Sequence, residues 1–471
     1  MYSLSSFKTY DIRGVWQSEI DERFGRIMGY ALGLHLLKKY TTPKILISSD
    51  VREANMILID EFLKGMKTAG IQQVTVIGRD EAHSQYTHGV CSTPMAYYAT
   101  IDRFDCGCLF TASHNPSEYV GAKIVDSKCL SIKSTELRSF FEEQTQTDIA
   151  DTGLPEILPY TDTKITELLS DIREKFKTLS KIPKITVDYS HGAATHFEQT
   201  FLREMLGSDA VHIFTNPDGS FPAHETDTSR FANYKPLIAE IQNNGSDFGF
   251  IFDGDADRFG MVTPDGIVVT GDILLAIIGR ELLTDGTAER LGSTTIFQEV
   301  FCGKIVGDTV KKYGGNLRMT RVGREAFVRE VIEANGLLAG EVSTHLLFKE
   351  YGTIEMPLAG LYYLLKALEK YDNATALIQE FNTYARGQVF QFITDKKDEA
   401  IETLKEKYKQ YEQITIDGIR IEAPEWWFCV RKSGTEPMLK VAIEGKDRNT
   451  YDAILSELRT FFKEFGATEK L

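Results

Sequence analysis

E22-R-F-G-R-I-M-G-Y-A-L-G-L-H-L-L-K-K39, followed by K44-I-L-I-S-S-D50, decides the fold class. The first run repeats apolar side chains at three- and four-residue spacing, the period of an amphipathic helix. The second is short and bounded by turn residues, the pattern of a buried strand. The alternation continues outward. It predicts a helix near 55–70, a strand near 74–78, a helix near 94–102 and a strand over C106-G-C-L-F110. Strands alternating with helices of this length predict a parallel sheet with crossover helices. The theme restarts at K184-I-T-V-D-Y189 and runs to D247-F-G-F-I-F252. It restarts again after Gly260, through T294-T-I-F297, a helix over 306–313 and an amphipathic stretch over 326–335. The last block differs. Q388-V-F-Q-F-I393, a charged helix over 397–411, strands near 413–421, 426–430 and 439–445, and a closing helix over 451–465 read as a smaller α+β unit. The expectation is an α/β protein of four domains, 1–150, 151–259, 260–373 and 374–471, the first three similar and mixed, the last smaller.

The bulk composition is consistent with that. A chain of 471 residues calls for about three or four domains. A formal charge of −15 should repel nucleic acid and anionic lipid, so neither is an expected partner. An anionic substrate would need a local cationic cluster. The six cysteines are scattered, and Cys106-Gly-Cys108 has no second pair with which to hold zinc, so buried thiols in a reducing compartment are expected. No run of eighteen apolar residues occurs, and the expected location is the cytoplasm.

Four short stretches could carry chemistry, and each follows a strand pattern, where open α/β sheets bind ligands. T111-A-S-H-N-P-S-E-Y-V-G-A-K123 sets Ser113 on a loop beside His114. Its serine lacks the glycine flanks of a hydrolase elbow, and the stretch reads equally as an Asn-Pro turn. D253-G-D-A-D-R258 spaces three aspartates at i, i+2 and i+4, which in extended backbone share one face. Their repulsion calls for a cation, by preference Mg²⁺. An EF-hand is excluded, since its sixth and twelfth positions would be Arg258 and Pro264. G340-E-V-S-T-H345 groups Glu, Ser and His, donors and acceptors suited to sugar hydroxyls. R431-K-S-G-T-E-P-M438 combines two cations, two hydroxyls and a glycine amide in a phosphate cradle. A serine, a hard-metal cluster, a polyol loop and a phosphate clamp together suit phosphoryl transfer on a sugar.

In this combination and order the motifs resemble those of the α-D-phosphohexomutases, over essentially the whole chain. F7-K-T-Y-D-I-R-G14, F221-P-A-H224 and T320-R-V-G323 also match. The resemblance implies four domains around a central cleft and a reversible transfer between the 6- and 1-positions of mannose or glucose. A hexose 1,6-bisphosphate would serve as intermediate and activator. It implies that Ser113 carries the phosphoryl group and, with Asp253, Asp255 and Asp257, ligates Mg²⁺. Lys123, Arg13 and His114 would complete the catalytic group, with Lys123 a general acid/base. Arg258 and Arg324 would contact the substrate. Glu341, Ser343 and His345 would line the sugar pocket. Arg431, Ser433, Gly434 and Thr435 would hold the phosphate that is not reacting. The expected assembly is a monomer or weak homodimer.

The chain departs from the family pattern in places. Val120-Gly121 stands where Asn-Gly is usual, Thr344 where glycine is common, Phe301 where a lysine is frequent, and Arg324 where a histidine is frequent. These positions bear on which sugar is preferred. A phosphoglucosamine mutase is the nearest alternative, ranked lower because Val342 stands where that subgroup has glutamine. A sugar-phosphate-binding protein without turnover is the alternative outside enzymes.

Overall fold

A computed structural model of the chain describes residues 4–8, 11–79, 88–433 and 437–470. Its residues fall into two compact units, Met1–Thr270 with Ser343–Thr375, and Gly271–Val342 with Ala376–Leu471.

The first unit opens with β1 (Ile12–Val15), α1 (Glu22–Lys39), β2 (Ile45–Ser49), α2 (Glu53–Ala69) and β3 (Gln73–Val76). It continues with α3 (Thr93–Thr100), β4 (Cys106–Phe110), β5 (Tyr119–Asp126), α4 (Ser134–Gln144) and β6 (Glu156–Pro159). The quoted helix is α1 itself. Asp21 caps it by accepting from the Phe24 amide, and Lys38 and Lys39 lie at its negative C-terminal end. Its glycines let α2 approach backbone to backbone: a Cβ on Gly29 would fall 1.8 Å from the Phe62 carbonyl.

The strand order β1-β5-β4-β2-β3-β6 corrects the expected parallel sheet to a mixed one. β2 pairs parallel with β3 and β4, but β5 runs antiparallel to both β4 and β1. β5 was hidden because its run of turn-forming residues continues almost to Tyr119. Val120 is fully buried in the core beneath this sheet, which accounts for an apolar side chain there. Gly121 is required, since its Cβ would lie 2.2 Å from the Ile12 carbonyl.

A second layered sheet follows, from α5 (Lys164–Lys177), β7 (Ile185–Asp188), α6 (Phe197–Leu206), β8 (Val211–Ile213), α7 (Lys235–Asn244), β9 (Phe248–Phe252), β10 (Phe259–Val262) and β11 (Val268–Val269). Its order is β11-β10-β9-β7-β8, with β9 parallel to β7 and antiparallel to β10.

In the second unit, α8 (Gly271–Thr284) and α9 (Thr287–Leu291) lead to β12 (Thr295–Glu299), α10 (Lys304–Lys312), β13 (Asn316–Thr320), α11 (Arg324–Glu333) and β14 (Leu338–Gly340). β13 and β14 both pair parallel with β12. The chain then returns to the first unit with an antiparallel hairpin, β15 (Leu346–Phe348) and β16 (Ile354–Glu355), and the buried helix α12 (Pro357–Leu368).

After α13 (Ala374–Phe381) the second unit resumes with β17 (Ala385–Arg386), β18 (Phe390–Ile393), α14 (Lys397–Lys407), β19 (Glu412–Ile414), β20 (Ile419–Glu422), β21 (Trp426–Lys432), β22 (Met438–Gly445), α15 (Arg448–Glu464) and β23 (Thr468–Lys470). These strands form an antiparallel sheet of order β19-β20-β21-β22-β18-β23, with β17 also paired to β22. The expected single extended region over 413–421 is a hairpin, turned at Gly418 with φ +78°. α14 is correspondingly shorter than the sequence pattern predicts.

Candidate active site

β4 ends at Phe110, and its continuation holds Ser113 in the left-handed region at φ +50°, uncommon for a residue with a Cβ. The Thr111 hydroxyl accepts from the Ser113 amide at 2.8 Å. The loop carbonyls point inward and are gathered by Arg52, which is 1% exposed. Arg52 donates to the carbonyls of Ser113 (2.9 Å), Asn115 (2.6 Å), Pro116 (2.6 Å) and Tyr119 (3.0 Å), and is paired with Asp50 at 3.1 Å. Its guanidinium lies over the Phe221 ring. Arg13 adds bonds to the Ala112 carbonyl and the Asn115 side chain. Arg52 is a site residue that the sequence reading missed. Its signal was an arginine shortly after a buried strand, two residues beyond Asp50.

The Ser113 hydroxyl is thereby placed 3.2 Å from Asp253 Oδ2 and 3.2 Å from His114 Nδ1. Burial, then the positive charges of Arg258 and Arg13, hold His114 well below its usual range, so its ring is neutral at neutral pH.

Asp253, Asp255 and Asp257 follow β9, and all three are buried. The run is a turn rather than the extended segment expected: Ala256 has φ +56°, and its amide donates to the Asp253 carbonyl. The three carboxylates converge all the same, with ligand atoms within 4.8 Å of one another. Gly254 lets the loop touch the serine loop, since a Cβ there would lie 2.7 Å from the Ser113 carbonyl oxygen.

Two tests of fit favour a hard cation among these carboxylates. Asp255 Oδ1 is buried with no hydrogen-bond partner among the described residues, and Asp257 Oδ1 faces the edge of His345 at 3.3 Å. Burial, followed by the charges of Asp257 and Asp255, pushes Asp253 well above the usual carboxylate range. An oxygen-only donor set under mutual repulsion suits Mg²⁺.

Lys123, on β5 opposite Leu109 of β4, supplies a countercharge, with Nζ 2.6 Å from Asp255 Oδ2 and 2.5 Å from Asp257 Oδ2. Burial opposes the ammonium, but the two carboxylates hold its proton more tightly than in water. Thr93 also reaches this loop, with its hydroxyl 2.6 Å from Asp255 Oδ2 and its amide on the Asp255 carbonyl. Sequence reasoning had no signal for it.

Arg258 approaches Asp253 and Asp257 at 3.9 Å, and its amide donates to Asp253 Oδ1. His345 Nε2 stands 3.3 Å from Asp257 Oδ1. Ser343 is half-buried, next to Thr344, whose φ of +69° accounts for glycine being an easy fit there.

The remaining expected residues belong to the second unit. Glu341 is buried and accepts from the Gly323 amide at 3.2 Å, with Arg324 following at the start of α11. Arg431 Nε pairs with Asp417 Oδ2 at 2.5 Å, and the same oxygen accepts from the Val322 amide. Ser433 is buried, and its amide donates to the Met438 carbonyl. Gly434 and Thr435 lie outside the described residues, as do Thr9 and Tyr10 of the N-terminal motif. Phe301 is packed in an apolar cluster with Val300, Trp427, Cys429 and Ala442.

All six cysteines are buried free thiols, and among the described residues no helix is long and apolar enough to cross a membrane.

Comparison with known proteins gives a match along the whole chain. Four family models, described as phosphoglucomutase/phosphomannomutase alpha/beta/alpha domains I, II and III and the C-terminal domain, match residues 4–148, 164–266, 270–384 and 392–460. A phosphomannomutase of Methanocaldococcus jannaschii is 34% identical over 473 residues, covering 99% of either chain. A phosphomannomutase/phosphoglucomutase of Pseudomonas putida is 29% identical, covering 98% of this chain and 95% of its own. The crystal structure of a phosphoglucomutase/phosphomannomutase family protein from Burkholderia thailandensis superposes with a TM-score of 0.84 at 26% identity, covering 100% of both chains.

Proposed function

The chain belongs to the phosphoglucomutase/phosphomannomutase family, whose members are phosphohexomutases of the isomerase class, and from that premise we propose that Ser113 carries the phosphoryl group moved between the 6- and 1-positions of mannose and glucose. The observation that carries this reading is the Ser113 hydroxyl 3.2 Å from the first carboxylate of the aspartate triad, with Lys123 bridging the other two.

Each residue then has a task. Arg52 and Arg13 hold the loop so that the serine oxygen points at the triad. His114, kept neutral by burial and by the two arginines, can accept the hydroxyl hydrogen. Lys123 keeps its proton and acts as a donor toward a leaving hydroxyl. Arg258 brings positive charge for phosphoryl oxygens, and His345 fixes Asp257. Asp253, Asp255, Asp257 and Ser113 would hold Mg²⁺, which supplies charge stabilisation for phosphoryl transfer when bound.

Glu341, Arg324, Ser343 and His345 are assigned to the sugar. Arg431, Ser433, Gly434 and Thr435 are assigned to the resting phosphate. A hexose 1,6-bisphosphate is the intermediate: Ser113 donates to the monophosphate, the bisphosphate turns over, and Ser113 recovers the other phosphate. The serine, metal, sugar and phosphate loops are assigned to domains 1–150, 151–259, 260–373 and 374–471. Buried free thiols support a reducing, cytoplasmic setting.

The test is a coupled assay on mannose, glucose and glucosamine 1-phosphates with catalytic hexose 1,6-bisphosphate. Conversion of the mannose and glucose esters to 6-phosphates is expected. Stoichiometric inorganic phosphate, or turnover of the glucosamine ester alone, contradicts the reading.

A further inference from the structure

Glu299 closes β12 and is 2% exposed, a position where a carboxylate is costly unless it is used. One oxygen, Oε1, accepts from the Val342 amide at 2.9 Å. The other, Oε2, is buried with no partner among the described residues. Val342 is the residue after Glu341, so the bond fixes the backbone on which the Glu341 side chain stands. Glu341 is itself tied to the Gly323 amide. Glu299 thus holds the loop that carries Glu341, and Glu341 in turn holds the turn before α11.

We propose that Glu299 is a positioning residue for Glu341: Oε1 holds the Val342 amide, and a proton on Oε2 leaves Glu341 as the one negative charge of the pair, presented to the sugar hydroxyls. The proposal rests on the assignment of Glu341 to the sugar.

The surroundings agree with a protonated Glu299. Burial first, then the Glu341 charge, pushes it up to about 8, with Asp417 adding to the rise. The Val342 amide and Arg431 pull the other way without overcoming it. Cys302, with its thiol well above the usual range, also faces this group, and Arg420 donates to the carbonyls of Val300 and Cys302 that follow it. Ionising Glu299 would set two adjacent buried anions against each other and disturb the loop. A glutamine would keep an acceptor for Val342 and replace the acidic proton with permanent N–H donors.

The test measures KM for the hexose 1-phosphate at pH 7 and pH 9 in the parent enzyme and in Glu299→Gln, Glu299→Ala and Glu341→Gln. The parent KM should rise about tenfold between the two pH values, since the proton is lost near pH 8. The ratio should fall below about twofold in Glu299→Gln. Glu299→Ala should raise KM about tenfold at pH 7 with kcat changed less than threefold. A parent KM flat with pH, or a Glu299→Gln ratio matching the parent's, overturns the inference, and neither depends on Glu299→Ala folding. If Glu341→Gln leaves KM unchanged, the assignment of Glu341 to the sugar fails. If it raises KM while Glu299→Gln follows the parent, only the Glu299 inference fails.

Discussion

The hydroxyl of Ser113 and the Oδ2 of Asp253 lie 3.2 Å apart although 140 residues separate them in the chain. That contact joins the two loops that end β4 and β9, and most of the expected consequences follow from how it is held.

Arg52 should be the strut of the serine loop. Its removal takes a donor from four carbonyls and the cationic partner from the buried Asp50 carboxylate. Arg52→Met should destabilise the protein by about 3–5 kcal/mol, the range for breaking a buried ion pair. Arg52→Lys should recover part of this but not the planar fork that reaches the carbonyls and Asp50 together. Denaturant unfolding of the two variants checks the order.

Gly254→Ala tests the contact between the loops. The new Cβ would fall 2.7 Å from the Ser113 carbonyl oxygen and 3.1 Å from the Thr226 hydroxyl. A displacement of the serine on the order of 1 Å should cost about 100-fold in kcat. Cation affinity, read by calorimetry, should change less, because of the four proposed ligands only Ser113 is displaced and the three carboxylates are kept.

Lys123 and a divalent cation should compete for Asp255 and Asp257. Lys123→Met removes the ammonium and leaves three facing carboxylates, so the metal-free protein should lose about 3–5 kcal/mol. Added Mg²⁺ should then raise Tm more in the variant than in the parent. Equal Tm gains in both proteins would speak against the competition.

Glu198 gives a pH dependence of stability. It is fully buried, with Ser92 donating to Oε1, and burial raises it from 4.5 to about 7. A carboxyl raised in the folded state stabilises fully below 4.5, and that contribution is lost as pH rises through 7. The loss is on the order of 3 kcal/mol. Between pH 5 and pH 8 the Tm of Glu198→Gln should therefore gain on the parent. Using the difference between the two proteins cancels His212, which burial lowers to about 4 and which shifts stability the opposite way.

Much of this was readable in the sequence because the chemistry is contiguous. Ser113, the three aspartates, Glu341 and Arg431 each sit in a short run after an apolar strand, and such runs survive without knowledge of tertiary contacts. What was not readable depends on pairings distant in sequence. β5 could not be found from periodicity, because the turn residues of 115–118 run into it and its alternation is masked by burial on both faces. Arg52 and Thr93 act on residues 61 and 162 positions away. The left-handed Ala256 turned an expected extended run into a loop that converges the same carboxylates by another path. Phe301 aligned with a family position of known polarity, yet the cluster around Trp427 takes it for packing.

The central claim is that Ser113 carries phosphate. Mass analysis of the protein after exposure to a hexose 1,6-bisphosphate, with fragment mapping, addresses it directly. One phosphoryl group on the peptide containing Ser113, absent in Ser113→Ala and discharged by hexose 1-phosphate, is the predicted result. An unmodified Ser113 in protein that still interconverts the sugar phosphates would contradict it.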